Sequence, residues 1–85
     1  MMEYKILHVN TSEYYRFSHC IPTDIEEYKL LIKKIISICQ IKNKCQFYYL
    51  DEEKDWISLK SFQDAETMFR LRPLGQPIRI FVENI

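Results

Sequence analysis

Four acidic residues crowd into five consecutive positions and form the densest group of reactive side chains in the sequence. The segment is Asp51-Glu52-Glu53-Lys54-Asp55. Asp51, Glu53 and Asp55 alternate like the first three ligands of a calcium-binding EF-hand loop. The pattern then departs from that loop, because Trp56 stands where glycine is required and Phe62 where the bidentate glutamate belongs. Weak divalent-cation binding therefore stays an alternative, and the main expectation is a patch of negative charge that binds a cationic partner.

Histidine and cysteine side chains are the other candidates for chemistry. His8, His19 and Cys20 fall in one predicted hairpin and are potential zinc ligands, but their spacing matches no zinc motif. No third group orients a Cys–His nucleophile pair, and a single glycine excludes a glycine-rich phosphate loop. Paired catalytic carboxylates need a cleft, for which a small domain with a filled core has little volume. We expect no enzyme activity, cofactor or metal site, and a small enzyme or metal protein is the third alternative.

Length and composition predict one folded domain. The chain has 85 residues, of which 47% are hydrophobic and 28% charged, with one Gly and three Pro. That is the profile of a globular unit with a single core, and it is not typical of a disordered segment. We expect residues 1–85 to form a single interaction domain.

Charges are balanced in number but segregated along the chain. Twelve basic and twelve acidic residues give a formal net charge of +0, so the overall attraction that drives nonspecific nucleic-acid binding is absent. No acidic residue lies between Glu27 and Asp51. That interval contains five lysines, namely Lys29, Lys33, Lys34, Lys42 and Lys44. The distribution indicates a positive and a negative side, although a solvated helix face beside a solvated turn would give the same pattern.

Cysteine usage and hydropathy indicate an intracellular protein. Cys20, Cys39 and Cys45 are odd in number and form no CxxC pair, so we expect reduced thiols. No apolar run approaches the length of a membrane span, and the first residues lack the apolar stretch of a secretory signal. We expect a cytoplasmic protein with neither a nucleic-acid nor a membrane partner.

Periodicity predicts two helices among five strands. The strands are expected at Tyr4–Val9, Tyr14–Cys20, Cys45–Leu50, Trp56–Leu59 and Ile78–Val82. Thr23 and Glu26 make a capping box that opens the first helix, and its predicted buried face is Ile25, Tyr28, Ile32, Ile35 and Cys39. Ser61 and Asp64 cap the second helix, and Trp56 is expected in the core. The order favours an α+β class with a ubiquitin-like β-grasp roll, a mixed sheet of about five strands with two helices.

The stretch from Tyr49 to Glu66 resembles the acidic motif of the Phox-and-Bem-one (PB1) interaction domains. In that family a hydrophobic strand leads into D-x-D/E-G-D, followed by a short apolar strand and an acidic residue in the next helix. Asp51, Glu53 and Asp55 match the loop positions, and Asp64 matches the helix position. Glu52 adds a further carboxylate to the implied acidic face.

The opening of the chain resembles the basic face of the same family. Lys5 corresponds to the basic residue of the first strand, and Tyr15-Arg16-Phe17 to an Arg-Arg-Phe segment. Two positions depart from the pattern. Lys54 replaces the usual glycine and demands a tight turn from a residue with a side chain. Tyr15 replaces the first arginine, which leaves Lys5 and Arg16 as the basic pair.

The resemblance implies a scaffold or signalling adaptor without catalytic activity. Its acidic face would bind the basic face of another PB1 domain as a type I domain, or as a mixed type I/II domain if its own basic face is also used. Front-to-back contacts of this kind give heterodimers or oligomers, including head-to-tail self-association. The alternative is a ubiquitin-like or Ras-association-like domain that binds a small GTPase or a ubiquitin-pathway partner.

Overall fold

The computed structural model describes all residues from 1 to 85 as five strands and two helices. Their bounds are β1 Met2–His8, β2 Glu13–His19, α1 Ile25–Cys39, β3 Cys45–Leu50, β4 Trp56–Ser58, α2 Phe62–Arg70 and β5 Ile78–Asn84. The predicted order of elements is confirmed, and the predicted strand ends differ from the observed ones by at most two residues.

The five strands form one mixed sheet in the order β2-β1-β5-β3-β4. The central strands β1 and β5 are parallel, while the three other neighbouring pairs are antiparallel. The first and last strands of the chain therefore lie side by side in the middle, with one hairpin at each edge. This arrangement confirms the predicted α+β class and the β-grasp roll.

Helix α1 begins one residue later than the capping prediction implied. The N-cap is Asp24, whose carboxylate accepts a hydrogen bond from the Glu27 N–H at 2.8 Å. The Glu27 carboxylate in turn accepts from the backbone N–H of Thr23 at 2.9 Å and from its hydroxyl. The prediction of a Thr23–Glu26 capping box was wrong because Asp24 is an equally strong cap and its partner at the third helical position is a glutamate.

The buried face of α1 also differs in two positions from the predicted one. Tyr28, Ile35 and Cys39 are buried as expected, and the fourth buried residue is Leu31. Ile32 is half-buried and Ile25 is 57% exposed. Leu31 lies between Tyr28 and Ile35 at helical spacings of three and four, so it belongs to the buried stripe of the helix. The prediction had assigned Ile32 to this place.

The core lies between α1, α2 and one face of the sheet. Alternate residues of the two central strands point into it, and each of them is buried. These residues are Tyr4, Ile6, His8, Ile78, Ile80 and Val82. The opposite face of the sheet carries no helix. No helix of the chain has the length and apolar character needed to cross a membrane.

Candidate functional site

The acidic turn, defined as Asp51–Asp55, is the tight connection between β3 and β4. The Lys54 N–H donates to the Asp51 carbonyl at 2.9 Å, and the Asp51 N–H donates to the Asp55 carbonyl at 3.1 Å. Lys54 has a φ of 63°, in the left-handed region. A tight turn followed by one left-handed residue is a common way to close a short hairpin. Lys54 therefore occupies the conformation that glycine adopts most readily.

Asp51 organises this turn from within. One of its carboxylate oxygens, Oδ1, accepts hydrogen bonds from the backbone N–H groups of Glu53 and Asp55, both at 2.9 Å. Aspartate commonly stabilises turns by bonding to backbone amides a few residues ahead. The side chains of Glu52, Glu53 and Asp55 are exposed. The four carboxylates thus divide into one that shapes the turn and three that face solvent.

No ion pair within the chain involves the acidic turn. The structure contains two ion pairs, Arg16 to Glu3 at 3.0 Å and Lys29 to Glu26 at 3.8 Å. Neither involves a carboxylate of the turn. Its negative charge is therefore available to a cation from outside the molecule.

Asp64 caps α2, as predicted from Ser61. Its Oδ2 accepts from the Lys60 N–H at 2.9 Å and the Ser61 N–H at 3.2 Å, while the Ser61 hydroxyl oxygen accepts from the Asp64 N–H at 3.2 Å. This reciprocal arrangement is a capping box, and it fixes the Asp64 carboxylate at the start of the helix.

The environment of Tyr49 links Asp64 to the turn. Burial raises the pKa of the Tyr49 phenol, and the negative charges of Asp64, Asp51 and Glu52 raise that pKa further. Asp51, Glu52 and Asp64 thus all raise the pKa of one phenol, while the positive charge of Arg70 lowers it. The acidic surface is defined here as Asp51, Glu52, Glu53, Asp55 and Asp64.

Lys5 and Arg16 are direct cross-strand neighbours on the face of the sheet that carries no helix. Arg16 donates from Nε to Glu3 at 3.0 Å, and the Lys5 Nζ lies 4.7 Å from the centre of the Tyr14 ring. A third cation, Arg79 of β5, is the partner of Lys5 on its other side. Arg79 is exposed and forms no ion pair. We call Arg16, Lys5 and Arg79 the basic row.

Arg79 was not among the residues predicted from the sequence, although one signal for it was present. In Ile78-Arg79-Ile80-Phe81-Val82 the alternation places Arg79 opposite the buried isoleucines. What the sequence did not provide was the register of two parallel strands more than 70 residues apart. That register is what aligns Arg79 with Lys5.

The acidic surface and most of the basic row lie toward opposite edges of the sheet. Arg16 belongs to the β2 edge and Lys5 to its neighbour β1, whereas the acidic turn joins β3 and β4 at the other edge. Two surfaces of opposite charge on different parts of one domain are the requirement for head-to-tail contacts between copies.

Trp56 was expected in the core, and that prediction was wrong. Its side chain is 51% exposed on the face without helices, directly after the acidic turn. The indole packs against Phe81, with ring centres 4.6 Å apart, and against Tyr48 at 5.4 Å. The core positions next to the turn belong to Leu59, which is buried, and Ile57, which is half-buried.

The histidines and cysteines do not converge on a common point. His8 is buried, and its Nε2 lies 3.1 Å from the Asn84 Oδ1. The Nδ1 of His19 lies 3.2 Å from the Cys20 carbonyl oxygen and 3.7 Å from the Cys20 sulfur. The structure contains no group of three or more His, Cys, Asp or Glu side chains arranged to hold a metal ion. In the acidic turn, the Asp51 Oδ1 is already occupied by two amides.

Comparison with protein families gives a match to the PB1 domain over residues 14–84. The matched region contains all of β2 except its first residue, the strands β3 to β5, both helices and the whole acidic surface. It begins after β1, so Lys5 lies outside it, while Arg16 and Arg79 lie within. No curated protein matches the chain.

Proposed function

The chain belongs to the PB1 domain family, whose members are protein-interaction modules that bind one another, and on that premise we propose that its acidic surface binds the basic face of another PB1 domain. In this role it acts as a scaffold or signalling adaptor of the acidic, type I kind. Its own basic row makes it a mixed type I/II domain, able to join a head-to-tail chain of PB1 domains.

One observation carries this proposal. Glu52, Glu53 and Asp55 are exposed at a turn that Asp51 holds in shape, and no cation of the molecule pairs with them. A single exposed ion pair contributes only about 0–1 kcal/mol. Several carboxylates that meet several cations in one partly desolvated patch reach coupling energies a few times larger and also accelerate association. An exposed cluster of carboxylates therefore supports binding to a cationic partner, which carboxylates scattered over the surface would not.

We also propose that residues 1–85 act as one module. Strand β1 lies outside the region that matches the family, but it pairs with β2 on one side and β5 on the other at the centre of the sheet. Residues Tyr4 and Ile6 of this strand are fully buried. A chain that lacked residues 1–13 would lose one of its two central strands and, with it, the support of the basic row.

The decisive experiment reverses exposed charges without disturbing the turn. Asp51 stays unchanged because its carboxylate bonds to two amides, and the test variant is Glu53→Lys with Asp55→Lys. The control is Glu13→Lys with Glu26→Lys, which changes net charge equally at exposed positions outside the acidic surface. Self-association is measured by sedimentation over a concentration series, and heterotypic binding by titration against PB1 domains with a basic first strand.

We expect the test variant to lose binding and the control variant to keep it. Binding by the unchanged chain should also fall steeply with added salt, because exposed charges are screened beyond roughly 8 Å at physiological ionic strength. Equal binding by the two variants would contradict the proposal and direct attention to the exposed sheet face around Trp56. Lys5→Glu with Arg79→Glu then tests the basic row. If it leaves self-association unchanged, the domain uses its acidic surface alone.

A further inference from the structure

A groove of about 490 Å³ separates α1 from the first half of β3. The floor of this α1–β3 groove is largely apolar and includes Ile32, Phe47 and Leu59. Its rim carries three lysines, Lys29 and Lys33 from α1 and Lys60 from the segment before α2. The groove thus combines an apolar base with a positively charged border.

The backbone at the start of β3, beside the groove, is unpaired on the side that faces β4. Strand β4 is three residues long and pairs only with Tyr48, Tyr49 and Leu50. One further bond, from the Leu59 N–H to the Phe47 carbonyl at 2.8 Å, ends the ladder. Hydrogen-bonding groups alternate between the two sides of an antiparallel strand. Cys45 therefore directs its N–H and carbonyl to the same side as Phe47, where no backbone group of the chain bonds to it.

An unpaired strand edge beside an apolar groove can accept an added strand. Extended peptides bind to such edges through main-chain hydrogen bonds, and pockets for alternate side chains supply specificity. Proteins usually cover, shorten or twist their free edges, since an open edge invites pairing with another chain. Here the free stretch is short and flanked by lysines, which limits unspecific pairing and favours a segment of opposite charge.

The charged side chains that line the groove are all lysines. Lys33 and Lys60 form no ion pair, and Lys29 contacts only the exposed Glu26 at 3.8 Å. No carboxylate lines the groove. Lys29 and Lys33 belong to the interval between Glu27 and Asp51, which contains no acidic residue. Binding through the acidic surface does not involve these lysines. Charge complementarity therefore calls for an acidic occupant.

We propose that the α1–β3 groove binds an extended acidic segment of a partner protein. The segment pairs with the free edge of β3 at Cys45, places an apolar side chain on the groove floor and offers carboxylates to the three rim lysines. A protein segment fits better than a nucleic acid, because the free edge needs backbone amide partners and the chain has a formal net charge of +0. This site adjoins the acidic surface at Lys60, whose N–H donates to the Asp64 carboxylate at 2.9 Å, but it shares no residue with that surface.

The experiment uses a pool of fluorescent peptides in which Glu alternates with Val, Ile, Leu or Phe. Three comparisons are made by fluorescence anisotropy. The first replaces every Glu of the best peptide with Lys, and the second N-methylates alternate amides on one edge of that peptide. The third compares Lys33→Glu with Lys34→Glu in the domain. Lys34 is the matched control, because its Nζ lies 6.0 Å from the ring of Phe17 in β2, on the other flank of α1.

We expect the acidic peptide to bind and the Lys-substituted peptide not to bind. Lys33→Glu should weaken binding at least about tenfold, since it places like charges against each other, while Lys34→Glu should change it less than about twofold. N-methylation on one edge should weaken binding as strongly as Lys33→Glu. Amide NMR shifts should concentrate at Cys45 and Phe47. Thermal melts of both variants establish that the fold is intact.

Four results would overturn the proposal. The first is no binding by any peptide of the pool up to about 1 mM. The second is equal weakening by Lys33→Glu and Lys34→Glu, or indifference to N-methylation. The third is tighter binding of a single-stranded oligonucleotide than of the acidic peptide. The fourth is displacement of the peptide by the unlabelled domain but not by its Glu53→Lys, Asp55→Lys variant, which would make a second copy the occupant.

Discussion

Lysine at position 54 has two consequences for the acidic turn, a strained backbone and a positive charge. Replacement of Lys54 by glycine, compared with replacement by alanine, separates these two effects. Lys54 has a φ of 63°, and a residue with a Cβ pays roughly 1–2 kcal/mol in that region. Glycine avoids this cost but loses about 0.5–1 kcal/mol through its larger freedom in the unfolded chain. The matched variant is Lys54→Ala, which removes the charge and keeps the Cβ.

The two variants should differ in stability by the backbone contribution alone. The balance favours Lys54→Gly over Lys54→Ala by about 1 kcal/mol. For a domain of this size that difference corresponds to about 4–8 °C in melting temperature. The measurement is thermal unfolding followed by circular dichroism, with urea unfolding as an independent value for the free energy.

Both variants should bind a cationic partner more tightly, and to the same extent. At about 8 Å in water, removal of one like charge is worth about 0.5 kcal/mol, which corresponds to about twofold in affinity. Equal melting temperatures for the two variants would refute the strain assigned to Lys54. Weaker binding by Lys54→Ala would refute the claim that its charge opposes the partner.

Two further predictions concern the fold. Leu31→Ala should lower the free energy of unfolding by about 2–5 kcal/mol in urea because Leu31 is fully buried, whereas the neighbouring Leu30→Ala, at a side chain 57% exposed, should change it by less than about 0.5 kcal/mol. Equal losses would contradict the assigned helix face. Hydrogen bonds from Thr23 hold the pKa of Glu27 below its ordinary value of 4.5, so its contribution to stability is present above that pH and is lost as the pH falls through the lowered pKa. Glu27→Gln should therefore melt with a smaller acid-side decrease than the unchanged chain, and parallel profiles below that pH would contradict the assignment.

The features predicted best from the sequence depend on neighbouring residues. The acidic turn, the capping box of Ser61 and Asp64, and the order of the strands all follow from patterns that span a few positions. A β-grasp roll followed because a long helix after an opening hairpin leaves few ways to complete one sheet. These levels agree with one another, which is the usual mark of a sequence that specifies one fold.

The features predicted poorly are of two kinds. Some depend on long-range contacts, and for others a general tendency of the residue type was preferred to a correct local pattern. Trp56 illustrates the second case. Ile57 and Leu59 share one face of a strand, so the period of two already placed Trp56 on the other face. The general tendency of tryptophan toward burial led to the opposite conclusion. In the structure, Phe81 and Tyr48 shield part of the indole on a face that no helix covers.

The sheet topology adds a third cation to the basic row, and this changes which of its residues should contribute most to binding. Lys5 and Arg16 alone provide little free positive charge, because Arg16 is already bonded to Glu3. Parallel pairing of β1 with β5 adds Arg79 at the same level of the sheet, exposed and without an ion pair. An arginine that holds no internal carboxylate has the least to lose when it contacts an external one, and its planar guanidinium can bind a carboxylate through two hydrogen bonds. Of the three cations, Arg79 should therefore contribute most to any contact with an acidic turn, although its strand β5 lies farthest in sequence from Lys5.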